Sequence, residues 1–496
     1  MWTFLSLESF FTVLYILFLI AIYWYLTVPN GLPPGPMGLP FIGSSLNTWN
    51  TEKQHIVLRD WARKYGPLYR VYIGCKLVVV LGDWSTIHEA LVKKAEAFSG
   101  RPRFTSFQPP GIPHNHGIIF SDGHVWKEQR QFASITLRDL GFGRSILEPR
   151  IKEEVDYLIG EISQTKGQPF DVEKMVENAV SNIICVMLFG RRYDYKDETF
   201  RRLLDALKLR ANQSKVGFLS PFILSPWLGG LLAMTPVVKK FKQAGVELTT
   251  LVKNETKAAA ASFDRALPPT NYIHAFLKMQ ESGESSNFTE AQLVQIGVEL
   301  FAAGTETTAN TIRWAILYLA HNEDVQQKMY EEIRDTMGRG QLPNLEDRGR
   351  LPFTEAVIME TQRIANLVPL SVMHRTMTST KLLGYDIPAD TLVVPLLSAA
   401  LMDPNVYPEP ERFDPYRFLD EEGKVKKDPK WIPFSVGKRV CLGEPLAKME
   451  LFLFFTGIFS KFIFTFPENE PKPAIKGSIG FTNIPISFKI RAIPRE

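Results

Sequence analysis

The sequence predicts a mainly α-helical protein with small β-sheets, an α+β arrangement built around one large domain. Three observations carry that expectation. Helical patterning dominates the chain beyond Asp83, two short β-branched runs form the clearest strand signal, and no linker, repeat or low-complexity tract divides positions 41–496. The chain has 496 residues, of which 45% are hydrophobic and 22% charged, so it carries ample apolar mass for a core and is not a disordered polymer. Its 57 basic and 53 acidic residues leave a net charge of only +4, which argues against a nucleic-acid partner. Cys75, Cys185 and Cys441 are far apart and odd in number, which disfavours a disulfide framework and suits a reducing compartment.

Residues 10–28, FFTVLYILFLIAIYWYLTV, carry no charge over a length that crosses a ~30 Å hydrocarbon layer as a helix. Bulky Tyr23, Trp24 and Tyr25 stand where a cleaved signal would have small residues, so residues 1–28 read as a retained membrane anchor. The alternative is a buried core helix. The first basic residue is Lys53, followed by Arg59, Arg63, Lys64 and Arg70, and this bias places the body on the cytosolic side. Residues 29–40, PNGLPPGPMGLP, read as a semi-rigid hinge, because repeated proline fixes φ and removes amide donors.

Within the body, Leu68–Ile73 and Leu77–Leu81 flank Gly74-Cys75-Lys76 and predict a β-hairpin. Asp83 predicts a capped helix through Ala97, and Thr289 with Gln292 predicts a capping box opening a helix to about Ala320. At 1.5 Å per residue that helix is ~48 Å long and crosses the whole body, so Ala303-Gly304-Thr305-Glu306-Thr307-Thr308 lies deep inside. The proline-rich stretch from Met402 to Pro433 reads as ordered coil, and a helix restarts at Glu444-Pro445. Neither a dinucleotide fingerprint nor a Walker loop occurs.

The most informative segment is Phe434-Ser435-Val436-Gly437-Lys438-Arg439-Val440-Cys441-Leu442-Gly443. Its glycines allow a tight turn and close approach to a flat ligand, and Phe434 can pack beside that ligand. Cys441 precedes a helix whose N-terminal amides favour a thiolate, which is either a metal ligand or a nucleophile. No second Cys or His stands at zinc spacing, whereas one thiolate suits haem iron.

This loop, F-x-x-G-x-R-x-C-x-G, resembles the haem-thiolate loop of the cytochrome P-450 superfamily at every fixed position. The resemblance implies the cytochrome P-450 fold with one N-terminal transmembrane helix, haem b as cofactor and Cys441 as its axial iron ligand. Ala303-Gly304-Thr305-Glu306-Thr307 resembles the oxygen-binding segment, with Gly304 leaving room for dioxygen, Thr307 holding a water or the oxygen ligand, and Glu306 feeding protons. By the same resemblance Trp126, Arg130, Arg101, His374 and Arg439 meet the haem propionates. Glu360 and Arg363 join Arg412, of Pro410-Glu411-Arg412-Phe413, in a buried structural network behind the haem.

Leu32-Pro33-Pro34-Gly35-Pro36, Ala95–Arg101 and Gly117-Ile118-Ile119-Phe120 look most like the animal microsomal family 2 group, which oxidises fatty acids, steroids and xenobiotics. What this implies is a monooxygenase in the endoplasmic reticulum membrane that hydroxylates or epoxidises a lipophilic substrate. Electrons then come from an NADPH-cytochrome reductase, with cytochrome b5 and membrane lipid as further partners. Substrate contacts by family position are Phe107, Ile118, Phe218, Leu300, Phe301, Val368, Leu370, Val372 and Phe481. Two competing readings are a haem-thiolate isomerase of lipid hydroperoxides and a non-enzymatic membrane-tethered lipid or haem carrier.

Overall fold

The computed structural model describes residues 29–48, 50–103, 115–213, 235–338 and 340–495, with scattered positions between 11 and 22. Helix α1 (Gln54–Tyr65) leads into the expected hairpin, where β1 (Leu68–Ile73) pairs antiparallel with β2 (Lys76–Leu81) in the register Leu68 opposite Leu81. Asp83 caps α2 (Trp84–His88) by accepting from the Thr86 amide at 2.8 Å. The helix does not run to Ala97. It widens into a π turn at Glu89–Lys93 and stops, because the following residues are drawn onto a strand edge: Arg375 N donates to Gly100 O at 2.8 Å and Met377 N to Ala97 O at 2.7 Å.

The helical body comprises α3 (Gly123–Asp139), α4 (Glu148–Ser163), α5 (Glu173–Phe189), α6 (Glu198–Gln213), α7 (Pro236–Ala260), α8 (Tyr272–Ser282), α9 (Glu290–His321), α10 (Glu323–Met337) and α11 (Pro352–Ala365). Next come β3 (His374–Arg375), the hairpin of β4 (Thr380–Leu382) and β5 (Tyr385–Ile387), β6 (Leu392–Pro395) and α12 (Leu397–Leu401). After the proline-rich coil, α13 (Glu444–Lys461) is followed by β7 (Phe462–Thr465), β8 (Gly477–Ile479), β9 (Asn483–Pro485) and β10 (Arg491–Pro494). The main sheet has the order β1-β2-β6-β3, with β2 and β6 parallel. β10 pairs with β7 and β8 with β9.

Two helices form the axis of the core. α13 is buried at every position from Met449 to Phe459, as a helix apolar all round must be. α9 is buried from Gln292 to Glu299 and from Thr308 to Ala320, yet opens to partial accessibility at Leu300, Ala302, Ala303, Gly304, Glu306 and Thr307. Thr289 caps it through its hydroxyl, 3.2 Å from Gln292 N. The reciprocal half of the expected capping box is absent among the described residues, because the Gln292 amide is used on the main chain of Gly117, at 3.2 and 3.3 Å.

The expected hinge, residues 29–40, lies against β1 and β5, with Arg70 N donating to Pro34 O at 2.7 Å and Asp386 N to Gly31 O at 2.8 Å. Residues 10–28, the expected anchor, fall mostly outside the described residues. Their described positions are helical, and Phe11, Tyr15 and Phe18 are exposed, so these side chains are not packed in the core. Among the described residues no helix is long and apolar enough to cross a membrane.

Candidate active site

The loop before α13 is closed by Cys441 N donating to Phe434 O at 3.0 Å and by a 3-10 turn at Gly437–Arg439. Gly437 has φ +81°, and a Cβ there would lie 2.0 Å from Leu91 O, so only glycine fits. The amides of Gly443 and Glu444 donate toward the Cys441 sulfur, as expected at a helix start. Burial nevertheless outweighs them and pushes the thiol up, so a bound cation, and not the helix end alone, must hold it as thiolate. Cys441 is surrounded by protein yet accessible, which places it on the wall of an internal cleft.

Leu300, Ala303, Gly304 and Thr307 share one face of α9, and Ala303, though mid-helix, is exposed. Segment 117–121 ties this helix to the cysteine loop. Glu299 Oε2 accepts from Ile118 N at 2.6 Å and Ile119 N at 2.9 Å, while Arg439 Nη1 donates to Ile118 O at 3.2 Å and Nη2 to Ser121 O at 2.7 Å. Arg101 joins through Ile119 O at 3.0 Å and through Val372 O and Met373 O, both at 2.8 Å.

The five residues expected at the haem propionates therefore lie around one hub. The Arg439 guanidinium sits 3.7 Å over the Trp126 ring, and Arg130 Nη2 donates to Val440 O at 2.5 Å, next to Cys441. His374 Nδ1 lies 2.7 Å from Phe98 O; burial, then Arg101, hold it neutral. Burial, then Arg130, push Arg101 down to about 9, and burial, then Arg101 and Arg130, push Arg439 to about 8, the mark of crowded cations. The indole N–H of Trp126 is buried with no partner. A flat ligand carrying two carboxylates, with a metal that takes one thiolate, answers this donor set, so the residues fit haem.

Glu306 and Thr307, expected to act as a pair, point to different sides of α9. Glu306 accepts from the Thr482 hydroxyl beside β9, and burial raises its carboxyl. The Thr307 hydroxyl donates to Ala303 O at 2.7 Å, leaving its lone pairs toward the cleft. Gly304 also has a packing role. Its Cβ would lie 2.4 Å from Ile184 Cδ1, so this glycine lets α5 approach α9.

The structural network needs one correction. Glu360 and Arg363 form a fully buried bidentate pair at 2.7 and 2.8 Å, and Arg363 also reaches Leu401 O and Pro410 O. The third member is Arg417, 3.2 Å from Glu360, and not Arg412, which is exposed and pairs with Glu409. A second P-x-R-F, Pro415-Tyr416-Arg417-Phe418, stands five residues later and was the overlooked signal.

Of the expected substrate contacts, Leu300, Val368, Leu370, Val372 and Phe481 are partly accessible and Ile118 is buried in the main core. Phe301 is wholly buried in the main core and packs there instead. Phe107 and Phe218 lie outside the described residues. Sequence reasoning passed over Glu450, a wholly buried acid on α13 that bonds Thr308, because nothing local tells it from the charged residues Glu444, Lys448 and Lys461 of the same helix.

The family model for cytochrome P450 matches residues 33–492. The chain belongs to the cytochrome P450 family. Among its relatives is cytochrome P450 2U1 of Rattus norvegicus, 39% identical over 488 residues that cover 94% of this chain and 91% of the relative. Cytochrome P450 2H1 of Gallus gallus is 36% identical over 99% of this chain and 100% of its own length, and cytochrome P450 2J1 of Oryctolagus cuniculus 38% identical over 94% and 92%. This cytochrome P450 is thus similar to animal family 2 members and is a haem-thiolate monooxygenase of lipophilic substrates, using haem b, O2 and electrons from a reductase. The isomerase and carrier readings are not favoured.

Proposed function

We propose that Cys441 would supply the thiolate that holds the haem iron, that Trp126, Arg130, Arg101, His374 and Arg439 would hold the propionates, and that the α9 face of Ala303 and Thr307 would cover the substrate. The observation that carries this reading is the buried cluster of cations and the unpartnered Trp126 N–H beside a cysteine loop pinned under α9. When bound, the haem supplies O2 activation and transfers one oxygen atom to a C–H or C=C bond, the other leaving as water.

The chain's own residues supply the setting. Val368, Leu370, Val372 and Leu300 present apolar surface that orients a lipophilic guest and excludes water. Thr307 Oγ1, donating to Ala303 O, keeps its lone pairs free to accept from a water, and burial raises the Glu306 carboxyl on the other side of the helix, which favours its holding a proton there.

Residues 1–28 anchor the chain in the endoplasmic reticulum membrane, residues 29–40 set the angle of the body, and residues 41–496 form the cytosolic catalytic domain, with cytochrome b5 and membrane lipid as further partners. The test of the whole reading is the carbonyl spectrum of the ferrous protein. Wild type shows the thiolate-ligated form, and Cys441→His converts it to an imidazole-like form. An unaltered spectrum in the variant sinks the assignment.

A further inference from the structure

A ladder of aromatic rings leaves the cysteine loop through the proline-rich coil, and none of the roles above employs it. Phe434, whose carbonyl accepts from Cys441 N, stands edge-on to Trp431 with ring centroids 6.2 Å apart. Trp431 stands edge-on to Phe418 at 6.4 Å, and Phe418 meets Tyr407 at 6.1 Å. Such spacings bring the ring edges close to contact. Trp431 is partly accessible, whereas Tyr407 is only 3% exposed. The Tyr407 hydroxyl donates to Asp428 Oδ2 at 3.0 Å, and Asp428 is itself partly open to water. Packing alone is met by phenylalanine at position 407; a hydroxyl aimed at a carboxylate has a further use.

The two oxidisable rings are set up differently. The Trp431 indole N–H donates to Met359 O at 3.1 Å, and a carbonyl is too weak a base to take that proton, so an oxidised Trp431 keeps its positive charge and passes it on. Tyr407 faces a carboxylate, which takes the phenolic proton as the ring loses an electron. Burial, then the Asp428 charge, raise the Tyr407 phenol above its ordinary value, so the proton leaves only together with an electron. Cations beside the rings oppose a positive charge there, but both are paired. Lys448, 5.6 Å from the Trp431 ring, meets Glu444, and Arg363, 5.2 Å from the Tyr407 ring, meets Glu360.

Resting on Cys441 as the haem ligand, we propose that Trp431 and Tyr407 form a protective relay, which draws an oxidising equivalent away from the cysteine loop when O2 is consumed without substrate. One electron passes from Trp431 across Phe434 to the oxidised site, and one electron from Tyr407, bridged by Phe418, refills Trp431. The O–H bond of Tyr407 breaks as that electron leaves, and its proton goes to Asp428 Oδ2. A phenylalanine ring is too hard to oxidise to hold the charge, so Phe434 and Phe418 serve only as bridges. A small one-electron reductant, ascorbate or a thiol, then returns an electron to Tyr407, and Asp428 gives back the proton. The net change is one electron moved from reductant to site, with both rings and the acid restored.

The experiment uses the full-length holoenzyme, oxidised by peracetic acid without substrate and freeze-quenched for electron paramagnetic resonance. Wild type gives a tyrosyl radical whose oxygen accepts a hydrogen bond from protonated Asp428, seen as a proton coupling that heavy water removes. Tyr407→Phe abolishes this signal and Trp431→Phe lowers it severalfold. Tyr69→Phe, which alters a buried tyrosine bonded instead to Leu58 O, leaves it unchanged. Under NADPH and reductase without substrate, haem bleaches severalfold faster in Tyr407→Phe than in wild type, and ascorbate slows bleaching only where Tyr407 is present. No tyrosyl signal in wild type, a signal without the exchangeable coupling, or one that survives Tyr407→Phe at full strength overturns the relay. The wild-type measurements stand even where a variant fails to fold. A ferrous carbonyl spectrum that lacks the thiolate form would instead count against Cys441 as the ligand.

Discussion

At the scale of single residues, adjacency in the chain and adjacency in chemistry are separate properties. Glu306 and Thr307 are neighbours in sequence, but successive helical side chains are turned about 100° apart, and each meets a different surface. Thr307→Ala should leave the fold intact, since only a bond to its own turn is lost, yet lower the product formed per NADPH and raise hydrogen peroxide release; unchanged coupling removes Thr307 from the site. Arg417 and Arg412 sit in near-identical P-x-R-F contexts, and burial alone tells them apart. Arg417→Ala leaves part of the buried Glu360 charge unmatched and should cost about 2 kcal/mol or more. Arg412→Ala breaks an exposed pair and should stay within about 0.5 kcal/mol. Thermal melts of the two variants decide between them.

At the scale of elements, α9 and the segments bonded to it determine the site. Its cap, length and central polar segment were legible because each depends on residues within a few turns. Its contact with α5 was not, since nothing local announces that Gly304 faces Ile184, a residue 120 positions earlier. Gly304→Ala should lower stability on its own through overpacking. In an Ile184→Ala background the same change should raise it by about 1 kcal/mol, as alanine replaces glycine within a helix. A chemical-denaturation cycle of the four proteins measures the sign change, and additive effects would refute the contact. The hairpin β1–β2 was equally legible, while the early stop of α2 was not, because residues 97–100 are claimed by the edge strand β3.

For the molecule as a whole, the packing of α9 against α13 isolates ionisable groups from water. Burial, partly offset by the Thr308 hydroxyl, pushes Glu450 up to about 8, far above its unfolded value of roughly 4.3. Between those two values the folded state keeps a proton that the unfolded state has released, so stability falls as pH rises from about 4.3 through 8. Glu450→Gln should flatten that slope and stabilise the protein at pH 8 relative to wild type; urea midpoints from pH 5 to 8 measure it, and parallel slopes would refute it. What the sequence by itself determined is whatever a dozen consecutive residues can encode: the cysteine loop with its obligatory Gly437, the caps of α2 and α9, the hairpin, and through them the family. Only the tertiary structure decided which arginine neutralises Glu360 and which way Glu306 and Thr307 face. Those outcomes depend on burial and on partners distant in the chain, 57 positions for Glu360 with Arg417 and 176 for Glu306 with Thr482, and desolvation makes the same side chain inert at the surface and consequential inside.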